Sequence, residues 1–269
     1  MECSVLMSVY GKEKAEYLRE ALESIFAQTL KPSEIVLIKD GLLTDELEEV
    51  IDDAKKRYTN LRIWQFDQNV QLGRALAKGV ELCSCDLIAR MDTDDIAEKN
   101  RLQVQCEYMM ANPKVDVCGG FIEEFQDDDK TNLRMKKMPV TESDILRYSR
   151  YRNPMNHMTI MFRKQAVLDA GNYRHFPFLE DYDLWMRMLA GKKHLINLAQ
   201  VLVKVRVNDN MYARRGGFRY CKQYFRLRNN QRKLRLLSGR EYIVACVLTI
   251  GITLIPVNLR RKVYQKILR

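Results

Sequence analysis

The sequence predicts an α/β fold built on a mostly parallel sheet flanked by helices, with a basic helical region at the C-terminal end. Three observations carry this. Short β-rich runs alternate with amphipathic helical patterns through the first third of the chain. Polar, acid-bearing sequences follow those runs. The charge is also unevenly divided: residues from Lys204 to Arg269 hold 17 Lys/Arg against two acids, Asp209 and Glu241, whereas residues 1–203 net −5. With 269 residues, 46% of them hydrophobic, the chain can bury a large core. It thus reads as an acidic head with a tail suited to an anionic surface, membrane or nucleic acid.

The elements follow in order. "SVLMSV" reads as the first strand, and "EKAEYLREALESIFAQ" sets Tyr17, Leu18, Ala21, Leu22, Ile25 and Phe26 on one helical stripe. "EIVLIK", "LRIWQF" and "DLIARM" read as strands two to four, separated by the helical patterns "TDELEEVIDDAKKRY" and "VQLGRALAKGVEL". Strand–helix–strand at this spacing makes right-handed βαβ units, whose ligands bind beyond the carboxyl ends of the strands. Those ends read "YGKE", "DGLLTDE", "DQNVQLGR" and "DTDD", which puts Asp40, Asp67 and the Asp92/Asp94/Asp95 cluster on one rim. Farther on, "VDVCGGFIEEF" and "LRMKKM" suggest strands, "SDILRY" a helix and "RNPMNHM" an irregular stretch. "FLEDYDLWMRMLAGK" is a helix with acids early and cations late, as its dipole favours, and Trp185 and Met186 fall at core spacing. Seven cysteines without a C-x-x-C pair, and only three histidines, point to reduced thiols rather than a zinc clamp. Strand-like "CSVLMSVY" directly after the first Met shows no signal-peptide pattern, so the head is expected in the cytoplasm.

"ARMDTDD" places three carboxylates in four positions, where like charges repel. A calcium EF-hand counted from Asp92 requires Gly and Glu where Ala97 and Gln103 stand. A haloacid-type phosphatase carries its D-x-D after the first strand, not the fourth. A divalent Mg²⁺ or Mn²⁺ held against a diphosphate suits the pattern; a solvated acidic turn is the alternative that D-x-D alone leaves open.

"SVLMSVYGKEKAEYLREALESIFAQTLKPSEIVLIKDG", "NVQLGRALAKGVELCSCDLIARMDTDD" and "FLEDYDLWMR", in this order, resemble the family 2 glycosyltransferases, which have the Rossmann-like GT-A fold. The resemblance spans about residues 3 to 206. "ARMDTDD", "NPMNHMT" and "ARRGG" are similar to the subgroup of bacterial exopolysaccharide and O-antigen assembly. It implies an inverting transfer of a glucose- or galactose-type hexose from a UDP-sugar to a saccharide on undecaprenyl diphosphate, dependent on Mn²⁺ or Mg²⁺. It also implies roles. Ser8, Tyr10, Glu13 and Asp40 would line the uracil pocket, with Arg74 near the nucleotide. Asp92 would meet the ribose or sugar, Asp94 would ligate the metal and Asp95 would tune it. Asp181 matches the catalytic base, and Glu180 would orient it or touch the acceptor. His157 would contact acceptor or phosphate, or serve as a structural hydrogen-bonded histidine. Arg206, Arg214 and Arg215 would meet phosphates or face a membrane. The family's "DGSxD" reads "DGLLTDE" here, which leaves Asp45 without an assigned role. The domain reading is a transferase domain over 1–206, with a nucleotide half at 1–98 and an acceptor half at 99–206, then a basic region over 207–269.

In that last region "YIVACVLTIGITLIPV" (242–257) is uncharged for 16 residues, short of a spanning helix and interrupted by Gly251 and Pro256. The following "NLRRKVYQKILR" reads as a basic amphipathic helix. The pair predicts an element lying on an anionic membrane surface at the cytoplasmic face of the bacterial inner membrane. Two rival functions fit less well. A nucleic-acid-binding protein leaves the acidic rim unexplained and needs a base-reading motif, so no nucleic-acid partner is expected. A sugar nucleotidyltransferase needs a Gly-rich basic loop after the first strand, where "VYGKEKAEY" has a single Gly.

Overall fold

The computed structural model describes residues 1–127, 133–207, 216–256 and 259–260 in full, and the backbone of 129–132. Its first half consists of βαβ units. Strands β1 (Ser4–Val9), β2 (Glu34–Lys39), β3 (Leu61–Gln65) and β4 (Leu87–Met91) lie parallel in the order β3-β2-β1-β4. Helices α1 (Ala15–Phe26), α2 (Asp45–Arg57) and α3 (Leu72–Leu82) connect them. The stripe expected on α1 is the one it buries. Side chains alternate across each strand: Val5 and Met7 join one core with Leu18, Ile25 and Leu102, while Leu6 joins the other with Leu76, Val80 and Trp185. A sheet covered on both faces needs apolar residues at nearly every strand position, and β1 and β2 supply them.

Beyond β4 the sheet becomes mixed. Strand β8 (Met161–Arg163) runs antiparallel to β4 and to β6 (Val115–Gln126), and β9 (His194–Arg206) runs parallel to β6. Short β5 (Ile96–Ala97) pairs with β9, and β7 (Asp129–Lys136) forms a hairpin with β6. The parallel expectation holds for β1 to β4, which helical crossovers connect, and yields beyond them, where β8 and β5 pair antiparallel with strands distant in sequence and β7 returns as a hairpin. The helix α4 (Arg101–Ala111) was not legible in the sequence because its buried face contains Arg101 and Gln105, which break the apolar period.

The remaining helices are α5 (Glu142–Ser149), α6 (Lys164–Asp169), α7 (Glu180–Ala190), α8 (Phe218–Lys233) and α9 (Gly239–Thr253). Trp185 and Met186 are fully buried on α7, as their spacing predicts. Buried Arg228 ties α8 to the head by donating to the carbonyls of Arg150 (3.0 Å) and Tyr151 (2.7 Å). Ser238 and Glu241 form a capping box that starts α9. Among the described residues no helix is long and apolar enough to cross a membrane. Arg214, Arg215 and the closing basic run from 261 onward lie outside the described residues.

Helix α3 approaches its neighbours closely. A Cβ on Gly73 would stand 2.3 Å from the Arg174 carbonyl oxygen and 3.2 Å from Cβ of Glu180. Gly73→Ala should therefore destabilise the protein by about 1–3 kcal/mol, read as a lower urea midpoint at unchanged slope. An unchanged midpoint would mean that the backbone at Arg174 can retreat.

Candidate active site

The strand order reverses between β1 and β4, the switch point at which open α/β sheets bind ligands. A cleft of about 540 Å³ opens there. Ser8, Tyr10, Glu13, Asp40, Asp92 and Asp94 all line it, so six residues assigned to the nucleotide-sugar and metal converge from three strand ends. Arg74 does not join them. It is exposed in the first turn of α3, and at that side Gln71 and Leu72 form the wall. Lys12 and Lys14, which the sequence reading did not single out, line the cleft as its cations.

Asp40 holds one rim in shape. Its Oδ1 accepts from the Val70 backbone N–H (2.6 Å) and its Oδ2 from Asn69 Nδ2 (3.0 Å). These bonds fix the 67–71 loop, in which Gln71 adopts a left-handed φ of 72°. Burial raises the Asp40 pKa, and the backbone N–H groups of Val70 and Gln71 oppose that rise. With Asn69, Val70 and Gln71 all donating to it, the Asp40 carboxylate retains one further acceptor position toward the cleft. Glu13 accepts from the Lys14 N–H (3.0 Å) and from Thr93 Oγ1 (3.1 Å), while burial raises its pKa.

The acid cluster is built around a buried cation. Arg90, only 2% exposed, grips Asp92 with both terminal nitrogens. Burial works against its charge, yet the Asp92 carboxylate keeps the guanidinium pKa above its ordinary value. Carboxylate oxygens of Asp92, Asp94 and Asp95 lie within 4.8 Å of one another. Burial, then the charges of Asp92 and Glu13, push Asp94 up to about 7. Burial and both neighbouring aspartates push Asp95 well above the usual carboxylate range, although its Oδ1 accepts from the Arg206 N–H (3.0 Å).

Among the described residues no lysine or arginine pairs with Asp94: Arg90 is engaged by Asp92, and Arg206 by Glu20 and Asp127. An unneutralised carboxyl crowded by like charges fits a hard divalent cation completed by water and phosphate oxygens.

Arg206 corrects an expectation. Its Nε donates to the Asp94 carbonyl (3.1 Å), its terminal nitrogens to Asp127 and Glu20, and its guanidinium lies 4.0 Å from the Tyr17 ring centre. Every N–H-bearing nitrogen of the side chain has a protein partner, so Arg206 acts as a bolt beneath the acidic loop rather than as a phosphate contact.

A second cavity of about 260 Å³ contains Asp181, His157, Asn153 and Arg152, and is closed by residues of α8 and α9. Asp181 accepts from Asn153 Nδ2 and from the Tyr182 N–H (2.7 Å). Its burial raises its pKa against those two donors. Glu180 does not line either cavity; it packs against Gly73, and burial followed by the Asp181 charge pushes it up to about 7. His157 shares a 2.9 Å hydrogen bond with Tyr173 through Nε2 and also lines the cavity. Burial, then the charge of Arg90, keep its pKa well below normal, so the imidazole is neutral.

The sequence reading missed Arg90, Asn153, Asn69 and Thr93. Each lies inside a stretch singled out for other residues, so proximity to those motifs was the available signal.

This mixed sheet flanked by helices is that of the glycosyltransferases of GT-A fold. The model of "Glycosyl transferase family 2" matches residues 4–171, and the chain belongs to that family. It is 38% identical to the amylovoran biosynthesis glycosyltransferase AmsE of Erwinia amylovora over 269 residues, 98% of either chain. It is 34% identical to the UDP-Gal:alpha-D-GlcNAc-diphosphoundecaprenol beta-1,3-galactosyltransferase of Escherichia coli, over 99% of this chain and 96% of that one. Among solved structures, S. aureus TarS 1-349 in complex with UDP-GlcNAc matches with a TM-score of 0.69 at 16% identity, over 99% of this chain and 76% of that chain. At that identity the match establishes the fold.

The Glu180 carboxyl also generates a stability prediction. Folded, it keeps its proton up to about pH 7, against an ordinary value of 4.5. Its contribution to stability is complete below the lower value and is lost as the pH rises through the higher one. Glu180→Gln should match the wild type near the ordinary carboxylate pKa and exceed it by roughly 1–3 kcal/mol at about pH 8, measured by urea unfolding. Equal stability at both would show that Glu180 ionises normally.

Proposed function

We propose that the protein is an inverting, metal-dependent glycosyltransferase that moves a glucose- or galactose-type hexose from a UDP-sugar to a saccharide on undecaprenyl diphosphate. Its setting is bacterial surface-polysaccharide synthesis at the cytoplasmic face of the inner membrane. The observation that carries this reading is the convergence of Ser8, Tyr10, Glu13, Asp40, Asp92 and Asp94 on one cleft at the switch point of the sheet. The full-length similarity to a UDP-Gal-dependent, diphosphoundecaprenol-directed enzyme supports the donor and acceptor classes. The similarity to an amylovoran enzyme supports the polysaccharide setting.

In this reading residues 1–206 form the catalytic domain, with the donor half at 1–98 and the acceptor half at 99–206. Ser8, Tyr10, Glu13 and Asp40 surround the base and ribose, and Asp92, held by Arg90, orients the sugar. Asp94 would hold Mn²⁺ or Mg²⁺, which when bound neutralises charge on the departing diphosphate. Asp181 takes the proton of the acceptor hydroxyl; its raised pKa makes it a stronger base than an exposed aspartate. Asn153 and the Tyr182 N–H hold the carboxylate in place for that transfer. Neutral His157 contacts the acceptor, and Arg214 and Arg215 its phosphates. In-line attack inverts the anomeric centre, turning an α-linked donor into a β-glycoside without a covalent enzyme intermediate. The basic 207–269 region contacts the anionic lipid surface.

Calorimetric titration should show UDP binding with Mn²⁺ that is lost with EDTA, and weaker binding of GDP and dTDP. A folded protein that binds none of them contradicts the donor assignment. Asp94→Asn should weaken metal-dependent UDP binding at least about ten-fold. Asp181→Asn should keep UDP affinity while transfer falls by roughly 10²–10⁴-fold. Wild-type transfer by that variant would rule out Asp181 as the base.

A further inference from the structure

Helix α9 is amphipathic in the wrong sense for water. The stripe it buries, Ala245, Thr249 and Thr253, is small and hydroxylic. Its large aliphatics Ile243, Val244, Val247 and Ile250, and Leu254 just beyond, are instead between 44% and 62% exposed. The inward packing is well satisfied: Thr249 Oγ1 donates to the Ala245 carbonyl (2.8 Å) and Thr253 Oγ1 to the Thr249 carbonyl (2.7 Å). Outside contacts also fix the rotation of the helix. Tyr242 donates to Asn229 Oδ1 (2.7 Å), and Glu241 at the start of the helix pairs with Arg150. A soluble helix turns its aliphatics to the core, so a contiguous apolar outer face implies an apolar covering.

The surrounding charge selects that covering. From Phe218 to Leu254, the span of α8 and α9, the chain has eight Lys/Arg against one acid, Glu241. A second copy docking through this face would set cations against cations, whereas anionic lipid complements them. The 15 residues of α9 span about 22 Å, less than the ~30 Å of a hydrocarbon core, so the helix lies in the interface rather than across it.

The same helix walls the cavity of the catalytic candidate. Leu248, Thr249, Ile252 and Thr253 face the space that holds Asp181. We infer that α9 embeds its outer face in an anionic bilayer and forms with its inner face the wall along which a lipid-linked diphosphate acceptor reaches Asp181. The docking half stands on the helix alone; the acceptor half rests on the function proposed above.

The test uses the full chain and vesicles of phosphatidylcholine with or without phosphatidylglycerol. The wild type should sediment with the anionic vesicles and not with the neutral ones. The triple variant Ile243→Ser, Val247→Ser, Ile250→Ser should bind them at least about ten-fold more weakly, with its melting temperature unchanged or higher. Ile252→Trp should retain vesicle binding and UDP binding but transfer galactose to GlcNAc-diphosphoundecaprenol at least about ten-fold more slowly. Vesicle binding by the triple variant equal to the wild type overturns the docking. A wild-type dimer in lipid-free solution that the triple variant dissolves assigns the face to a second copy instead. Undiminished transfer by Ile252→Trp overturns the wall. Failure of the folded wild type to bind UDP would defeat the proposed function while leaving the vesicle result standing.

Discussion

The buried guanidinium of Arg90 is the constraint on which the site depends. Four acids, Asp92, Asp94, Asp95 and Asp181, feel its charge, and Glu180 does as well. Without a central cation, packing these carboxyls at the end of a parallel sheet would leave them repelling one another in a poorly solvated space. Arg90 neutralises only one of them outright, through its two-pronged grip on Asp92. The others stay under-neutralised, which is the condition in which a carboxyl attracts a metal ion or a proton. A second buried arginine supports the first. Arg101 donates to the Arg90 carbonyl (2.7 Å) and stays charged at neutral pH, although burial and then Arg90 lower its pKa to about 9.

The site also needs an outer brace, and Arg206 provides it from the end of β9. It joins Glu20 on α1, Asp127 in the β6–β7 turn and the backbone of the acidic loop. Its N–H also meets Asp95. The acidic loop is therefore held from both sides by arginines that are unavailable to substrate. This leaves Asp94 as the carboxyl of the cluster without a cationic partner among the described residues, and Lys12 and Lys14 as cations lining the cleft.

The second cavity follows another logic. It is assembled from segments distant in the chain: the 153–158 stretch, the start of α7, and α8 with α9. One of its walls is formed by α9, whose outer face is apolar and exposed.

By itself the sequence determined the βαβ half, the rim on which its acids gather and the uncharged helix between basic flanks. These are local properties: periodicity names the elements, and the handedness of crossovers puts the strand ends on one side. The rim acids were legible for that reason, and four of them, Glu13, Asp40, Asp92 and Asp94, line one cleft. Only the tertiary structure decided which charges meet. Arg206 reaches Glu20 across 186 residues and Asp95 across 111, so no spacing rule announces that it is a bolt. Arg90 reads as an ordinary strand residue until the sheet buries it, and Arg101 and Gln105 hide α4 by placing polar groups on its inner face. The inverted face of α9 was likewise invisible, since the composition of a helix does not say which way it is rotated. That choice belongs to packing, where long-range contacts outweigh local preference.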